Sequence, residues 1–568
     1  MKPQSFQTRI RIVAICVFLV AVILLLRLFS LQVINKNTYA DKADRQYITP
    51  SGNVFNRGDI FFSKKDGTLV SAATVTTGFK VAINPKQIDN PESVYDQLTP
   101  FLKIDKATFV SKASRKDDPY EEIAVGLTKE QVGEIEKLKI KGLSIYKQNW
   151  RNYPSLNLGA HTIGFLAYKG DDLVGQYGLE RYYNSVLSKP KNESYVNFFA
   201  EVFSNIKDTF SDTVKGDIVT TIEPVVEYTL QSELENVLQK WNADQAGGII
   251  INPMSGEIYA AVGLPDFDLN NFKEVKSVGV YRNPLVENVF EFGSVIKPLV
   301  MAGALDAGVV TPKTEYYDAG NVTIDKKVIN NFDKKGRGTV TMQDVLNQSL
   351  NTGMVFAEQR LGHEKFRNYM KSYGIGEKTG IDLPNETSGL IRNLESPRNI
   401  EYANASFGQG IALTPVEAVR AFSILANGGN MITPHFVKEI KYENGLSKKI
   451  DYPYTKSNIL GREATDTITE MLIKVYESYD SGKHKNPNYS IATKTGTAQV
   501  AKETGGGYYE DKHMHSFFGY FPARDPQFLV FLFVKDPKGV KYASQTLIPP
   551  FDNITKFLIN YYNLPPDR

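Results

Sequence analysis

Cysteine is all but missing from this sequence: one, Cys16, among 568 residues. A chain with a single cysteine forms no internal disulfide and builds no thiolate metal cluster. Histidine is scarce too, and the six present are scattered apart from His513 and His515, which read as loop residues. His363-Glu364 is followed by Lys365-Phe366-Arg367, so the second histidine of a His-Glu-x-x-His zinc site is lacking. No metal and no other cofactor is expected. Nor is there an excess of charge of one sign: 66 basic and 63 acidic residues leave a formal charge of +3, which gives no reason to expect nucleic acid as a partner. Internal repeats are absent.

Long apolar runs number one. Ile12 to Leu26 is unbroken, Lys2, Arg9 and Arg11 precede it, and no acidic residue occurs before Asp41. As a helix these residues rise only about 22 Å, short of the ~30 Å hydrocarbon core. Continuing through Arg27 to Val33 makes the span long enough, with one charge that can snorkel or face a partner helix. A cleaved signal peptide competes with this reading, but residues 27–33 contain no small-x-small cleavage site. The expected arrangement is a cytoplasmic tail (1–9), an uncleaved transmembrane anchor (10–33) and everything else outside.

A hydrophobic content of 42% with 23% charged residues describes a folded chain, and its length calls for two to four domains. Residues 34–215 are mixed. Gly52 to Val81 is turn-rich and β-like, Lys129 to Leu138 reads as helix, Gly159 to Leu166 as extended and Ser188 to Ser194 as a loop. No catalytic cluster occurs there, so a structural or docking module is expected. Residues 216–568 are more regular. Pro224 to Trp241 has a helical pattern. Gly247 to Val262 and Ser516 to Val534 read as hairpins, Tyr489 to Ala501 as a strand, and Phe551 to Tyr562 as a closing helix. Mostly helical segments lie between, which gives an α+β fold: an antiparallel sheet interrupted by a large helical insertion.

The chemistry centres on Glu291-Phe292-Gly293-Ser294-Val295-Ile296-Lys297-Pro298 and the apolar run Leu299 to Leu305. Ser294 and Lys297 share a helix face. Pro298 has no N–H and belongs near a first turn, so Ser294 stands at or near a helix start, where unpaired N–H groups favour an oxyanion. A desolvated lysine can be the base that a serine nucleophile needs. Ser-x-x-Lys alone is a weak pattern, matched also at Ser144/Lys147, Ser188/Lys191 and Ser204/Lys207, none of which has the flanking glycine and apolar run. Ser349-Leu350-Asn351, after a helical stretch Thr341 to Gln348, brings a hydroxyl and an amide that can pass a proton and hold a peptide group. Lys494-Thr495-Gly496-Thr497 lies on the strand candidate: Lys494, Gly496 and Ala498 face one side, the glycine admits a ligand, and the lysine and threonines suit a carboxylate. Lys378-Thr379-Gly380 repeats the tripeptide in a glycine- and proline-punctuated loop.

Ser-x-x-Lys, Ser-x-Asn and Lys-Thr-Gly in that order resemble the motif set of penicillin-interacting serine enzymes. With Leu26 to Gln32, Arg57-Gly58, Tyr153-Pro154, Gly178-Leu179-Glu180, Thr379 to Pro384, Ser406 to Gly410 and Ser516 to Gly519, the chain resembles a class B penicillin-binding protein along nearly its whole length. The resemblance implies a transpeptidase fold in 216–568, with a helical subdomain, preceded by a pedestal (dimerisation/docking) domain in 34–215. It implies a D,D-transpeptidase that cross-links peptidoglycan stem peptides through a serine acyl-enzyme, is acylated by β-lactams and works with a membrane-embedded glycan polymerase and other cell-wall synthesis proteins. Ser294 would be the nucleophile, Lys297 the base, Ser349 with Lys494 the proton carrier, and Asn351 the holder of the peptide amide. Lys494, Thr495 and Thr497 would bind the terminal carboxylate, with Gly496 between them, and the N–H groups of Ser294 and Thr497 would form the oxyanion hole.

Phe292 replaces a usual proline, and Phe62 to Gly67 departs from a usual Asp-Arg-x-Gly, so the local turn and the pedestal packing are expected to differ. The chain ends soon after Tyr562, which under the resemblance points to the division (septal) branch. Alternatives are a serine β-lactamase, for which Glu395 and Asn399 have a deacylation spacing, or a D,D-carboxypeptidase, and a non-catalytic β-lactam sensor or division scaffold. The expected location is the bacterial cell membrane, with the catalytic part extracytoplasmic.

Overall fold

The computed structural model describes residues 56–170, 172–188, 215–275, 277–502 and 506–568. The expected tail and anchor, with Cys16, lie outside the described residues, as does most of the 188–194 loop. Among the described residues no helix is long and apolar enough to cross a membrane.

Two compact units are present. The smaller is built on Thr76–Trp150. In it, Glu121–Leu127 pairs antiparallel with Phe79 to Ile83. Helices Pro91–Leu98, Lys106–Ala113 and Lys129–Lys137 bury Leu98, Phe109, Val132 and Ile135 in a core of their own. The last helix starts where the sequence predicts because Thr128 and Gln131 form a reciprocal capping box.

The larger unit takes in residues 57–75, 151–188 and 215–568. Its early segments meet at one carboxylate. Glu180, with no exposed surface, receives Arg57 Nε and Arg151 Nε at 2.6 Å each. Arg57 also donates to Ser188 Oγ at 2.9 Å, Arg151 to the Gly58 carbonyl at 2.9 Å, and the buried Tyr153 hydroxyl lies 3.4 Å from Glu180. The residues Phe62 to Gly67 still close a hairpin, Ser63 pairing with Leu69 while Phe62 enters the core. The extended reading of Gly159 to Leu166 is corrected. Ala160–Ile163 is a helical turn flanked by Gly159 (φ 68°) and Gly164 (φ 72°), and a strand begins only at Leu166. Left-handed glycines at both ends start and stop the turn, a signal that alternation counting does not register.

The C-terminal part of the larger unit contains α1 (Pro224–Lys240), whose Val226, Leu230, Leu234 and Val237 form one buried stripe. Then come β1 (Gln245–Ile251), β2 (Ile258–Leu264) and α2 (Lys297–Asp306). A small hairpin, β3 (Asn321–Ile324) and β4 (Lys327–Asn330), precedes α3 (Met342–Asn347) and α4 (Asn351–Leu361). After α5 (Pro415–Ala426) and α6 (Arg462–Ser478) the chain returns to the sheet as β5 (Ala492–Ala501), β6 (Tyr508–Phe521) and β7 (Phe528–Lys535), and α7 (Ala543–Tyr562) closes it. The sheet order is β5-β6-β7-β1-β2, every pair antiparallel. It is the sheet expected, with the helical insertion between its second and third strands in chain order.

Period-two alternation in β7 feeds two cores. Leu529, Phe531 and Phe533 point to the helical insertion, and Val530, Leu532 and Val534 point to α1 and α7. A strand apolar on both faces must be central, and β7 is. Helix α2 is apolar all round and buried from Lys297 to Ala304, the hallmark of a helix packed on every side. The closing helix starts two turns before the predicted Phe551, and Pro549 and Pro550 lie inside it. His513 and His515, expected in a loop, are on β6.

Candidate active site

Gly293–Ile296 forms a single 3₁₀ turn, and α2 follows at Lys297 with Pro298 in its first turn. The turn buries Phe292, Val295 and Ile296 and leaves Ser294 part-exposed. Among the described residues no side chain hydrogen-bonds the Ser294 hydroxyl. Its position is fixed through its neighbours. Ser516 Oγ donates to the Phe292 carbonyl at 2.7 Å. Gly408 allows a close approach, since a Cβ there would stand 2.1 Å from the Gly293 carbonyl oxygen.

Gly496 corrects one expectation. A Cβ at this position would fall 2.4 Å from the Phe292 carbonyl oxygen and 3.0 Å from the Val295 nitrogen. The space that the glycine opens is filled by the serine-bearing turn of the protein itself, rather than by a ligand. Strand β5 and the turn are thereby pressed together, with Lys494 alongside.

Lys297 is fully buried and its Nζ donates to three acceptors: the Ser349 carbonyl at 2.6 Å, Ser349 Oγ at 3.2 Å and Asn351 Oδ1 at 2.8 Å. Lys494, also buried, reaches the same hydroxyl, with Nζ 3.1 Å from Ser349 Oγ and 2.9 Å from the Thr495 carbonyl. Burial, and then the charge of Lys494, hold the Lys297 ammonium well below the ordinary lysine range. Burial pushes Lys494 down to about 7. Ser349 joins α3 to α4 in the left-handed region (φ 52°), a conformation that non-glycine residues rarely adopt. It turns both the hydroxyl and the carbonyl of one residue toward Lys297.

Five of the eight expected residues therefore gather here: Lys297, Ser349, Asn351 and Lys494 in one hydrogen-bonded cluster, and Ser294 one turn from Lys297. Gly496 packs behind the serine. Thr495 and Thr497 alternate to the other side of β5. The Tyr479 hydroxyl lies 3.4 Å from Thr495 Oγ1, and the Ala543 N–H donates to Thr497 Oγ1 at 3.2 Å, so each threonine keeps its own O–H to give.

A family model of the penicillin-binding protein transpeptidase domain matches residues 246–556, and one of the penicillin-binding protein dimerisation domain matches 55–220. The chain belongs to the class B penicillin-binding protein family. Stage V sporulation protein D of Bacillus subtilis is 31% identical over 508 residues, covering 88% of this chain and 77% of that protein. The peptidoglycan D,D-transpeptidase MrdA of Acinetobacter baumannii is 26% identical over 610 residues, covering 97% and 88%. The crystal structure of penicillin-binding protein 2X from Streptococcus thermophilus shares the fold, with a TM-score of 0.72 at 22% identity over 90% of this chain and 80% of that one.

Several residues of this penicillin-binding protein escaped the sequence reading. Asn330 and Asn331 hold Asn351, and Asp318 holds Asn331. Phe332 and Tyr542, both exposed, meet edge to face at 5.9 Å beside Asn331 and Ala543. No motif marks any of them. The competing patterns go elsewhere. Glu395 is exposed and pairs with Lys371, while Asn399 donates to Asp325, so neither bonds to the serine cluster. The Lys378-Thr379-Gly380 loop is tied down by Glu386 and Arg420. Ser144 lies on a strand of the smaller unit. Lys191, Ser204 and Lys207 lie outside the described residues.

Proposed function

We propose that this penicillin-binding protein is a peptidoglycan D,D-transpeptidase that works through an acyl-enzyme on Ser294. The observation that carries the reading is the convergence of Lys297 and Lys494 on one hydroxyl, Ser349 Oγ, from chain segments almost two hundred residues apart. Ser294 Oγ attacks the carbonyl carbon of the penultimate D-Ala while its proton passes to Lys297, which desolvation keeps ready to accept it. The bond to the terminal D-Ala nitrogen breaks, and that nitrogen takes a proton through Ser349 with Lys494 behind it. The amine of a second stem peptide then attacks the ester, forms the cross-link amide and returns the proton to Ser294. Asn351 orients the donor peptide. Thr495, Thr497 and Lys494 take its terminal carboxylate, and the N–H groups of Ser294 and Thr497 the oxyanion. A β-lactam follows the first half of this course and stops at the ester.

A fluorescent penicillin tests the reading. The wild type is expected to label covalently, Ser294→Ala to remain unlabelled, and Ser144→Ala, Ser188→Ala and Ser204→Ala to label as the wild type does. Persistent labelling of Ser294→Ala would overturn the assignment. Cross-linked product from a lipid II polymer then distinguishes transpeptidation from hydrolysis.

The proposal extends to the domain plan expected from the sequence: tail 1–9, anchor 10–33, pedestal 34–215 and transpeptidase domain 216–568, with the catalytic part outside the cell membrane. Release of the chain into the soluble fraction on deleting 1–33 supports the anchor; retention on the membrane refutes it. The expected septal role and glycan-polymerase partner belong to the same proposal, and are read from the position of a fluorescent fusion and from co-purification.

A further inference from the structure

Helix α4 carries Asn351 as its first residue, yet its own N-cap is Leu350, whose side chain makes no capping bond. Leucine has no acceptor for the orphan N–H groups of a first turn. The cap comes from twenty residues upstream. Asn331 Oδ1 accepts from the Asn351 N–H at 2.9 Å and from the Thr352 N–H at 3.3 Å, and lies 3.1 Å from Thr352 Oγ1. The neighbouring Asn330 carbonyl accepts from Asn351 Nδ2 at 2.9 Å, which fixes the amide so that its Oδ1 meets Lys297 Nζ.

Asn331 is itself oriented. Its Nδ2 donates to both oxygens of Asp318 at 3.0 Å, and Asp318 Oδ1 also accepts from the Gly320 N–H at 2.9 Å and Thr352 Oγ1 at 2.8 Å. Asp318 and Asn331 are 1% and 2% exposed. A buried amide locked on one side by a carboxylate can present only its oxygen on the other. We infer that Asp318 and Asn331 are positioning residues for the acyl transfer: a cap supplied from outside the helix that sets the first turn of α4 and through it aims Asn351 at Lys297. The groups facing Lys297 are Ser349, Asn351 and Lys494, with Ser294 one turn away, and of these only Asn351 is held by the pair directly.

The inference rests on the proposed role of Ser294, so Ser294→Ala labelling is the control that separates failure of that reading from failure of this one. The rate of acylation by fluorescent penicillin is followed from pH 5 to 10. Asn331→Asp sets two carboxylates face to face and is expected to slow acylation on the order of 10²-fold, the scale of a misplacement of about 1 Å. The exchange Asp318→Asn/Asn331→Asp restores one amide and one carboxylate in reversed order, and is expected to recover most of the rate. Asn331→Ala is expected to slow acylation and also to move the acid limb of the profile to lower pH, since Lys297 loses a well-placed acceptor for its charged form. A role in folding alone would lower Tm and leave that limb in place. If Asn331→Ala keeps the wild-type profile, or the exchange is as slow as Asn331→Asp, the inference is overturned. Should Asn331→Asp fail to fold, the exchange and the alanine variant decide the question.

Discussion

Adding one methyl group at Gly496 tests how the nucleophile is held. In Gly496→Ala the new Cβ would lie 2.4 Å from the Phe292 carbonyl oxygen, 2.4 Å from Ser516 Oγ and 3.0 Å from the Val295 nitrogen. Ordinary contact begins near 3.4 Å, so the turn or the strand must give by roughly 1 Å, as overpacked cores do. Ser516 can rotate away, but it then loses its 2.7 Å bond to the Phe292 carbonyl. The two other contacts are backbone atoms of the turn that carries Ser294, and they have no rotamer to change. Overpacking of this kind costs about 1–3 kcal/mol of stability, with about 1 kcal/mol more for the lost hydrogen bond. A nucleophile displaced by about 1 Å loses on the order of 10²-fold in rate, or roughly 2.7 kcal/mol of barrier. Stopped-flow acylation with a fluorescent penicillin and a thermal melt measure the two effects. Acylation of Gly496→Ala within threefold of wild type, at unchanged Tm, would show that the turn does not depend on β5 for its position. Ser516→Gly in the same background removes only one of the contacts, so it should recover little of the rate.

Two further changes probe the charges. In Lys494→Met, loss of the neighbouring positive charge lets Lys297 hold its proton more tightly, so the acid limb of the acylation profile should move to higher pH while the rate falls; an unmoved limb argues against coupling of the two lysines. The folded protein releases the Lys494 proton near pH 7 and the unfolded chain near 10.5, so between these values the unfolded state binds more protons and the wild type should gain on Lys494→Met, by roughly 1 kcal/mol per pH unit, as pH rises. Urea unfolding of both proteins at pH 7, 8 and 9 measures this, and a constant difference would refute it. Glu180→Ala leaves Arg57 and Arg151 buried without their shared carboxylate, a loss of about 3–5 kcal/mol for an ion pair of this kind; a Tm within a degree or two of wild type would show that solvent reaches the cluster.

What could be read in advance was whatever local spacing encodes. Ser294 and Lys297 share a turn, hairpins alternate, and Pro298 marks a helix start. These are short-range facts, and the fold realises them. The meeting of Ser349 with Lys297 and Lys494 was not encoded in spacing; it was legible only because three weak patterns occurred in a family order. Asn331 was illegible because its work depends on burial beside Asp318, and an asparagine in Asn330-Asn331-Phe332 reads as a turn residue. Gly496 shows the same limit. Its sequence says that something approaches closely, and only the fold says that the approaching backbone is the protein's own turn. The left-handed backbone of Ser349 was illegible for a related reason: serine gives no sign of a positive φ, whereas glycine would have.

The protonation of the cluster follows from counting donors. A charged Lys297 has three N–H groups, and three acceptors surround it: the Ser349 carbonyl, Ser349 Oγ and Asn351 Oδ1. In that state all three donors are spent on Ser349 and Asn351, and Lys297 has no lone pair to take a proton from Ser294. A neutral Lys297 needs only two acceptors, for which the Ser349 carbonyl and Asn351 Oδ1 suffice, and its lone pair is left to accept. Among the described residues neither Lys297 nor Lys494 has a carboxylate within ion-pair distance, so nothing compensates burial of the charge, and the cluster cannot comfortably hold two ammonium groups a few ångströms apart. With Lys297 neutral and Lys494 bearing the proton, Ser349 Oγ can accept from Lys494 while its own O–H stays free to give. A base beside the nucleophile and an acid behind a relaying hydroxyl are what acyl transfer to a serine requires, and here burial of both lysines, with the charge of Lys494 acting on Lys297, favours that division of roles.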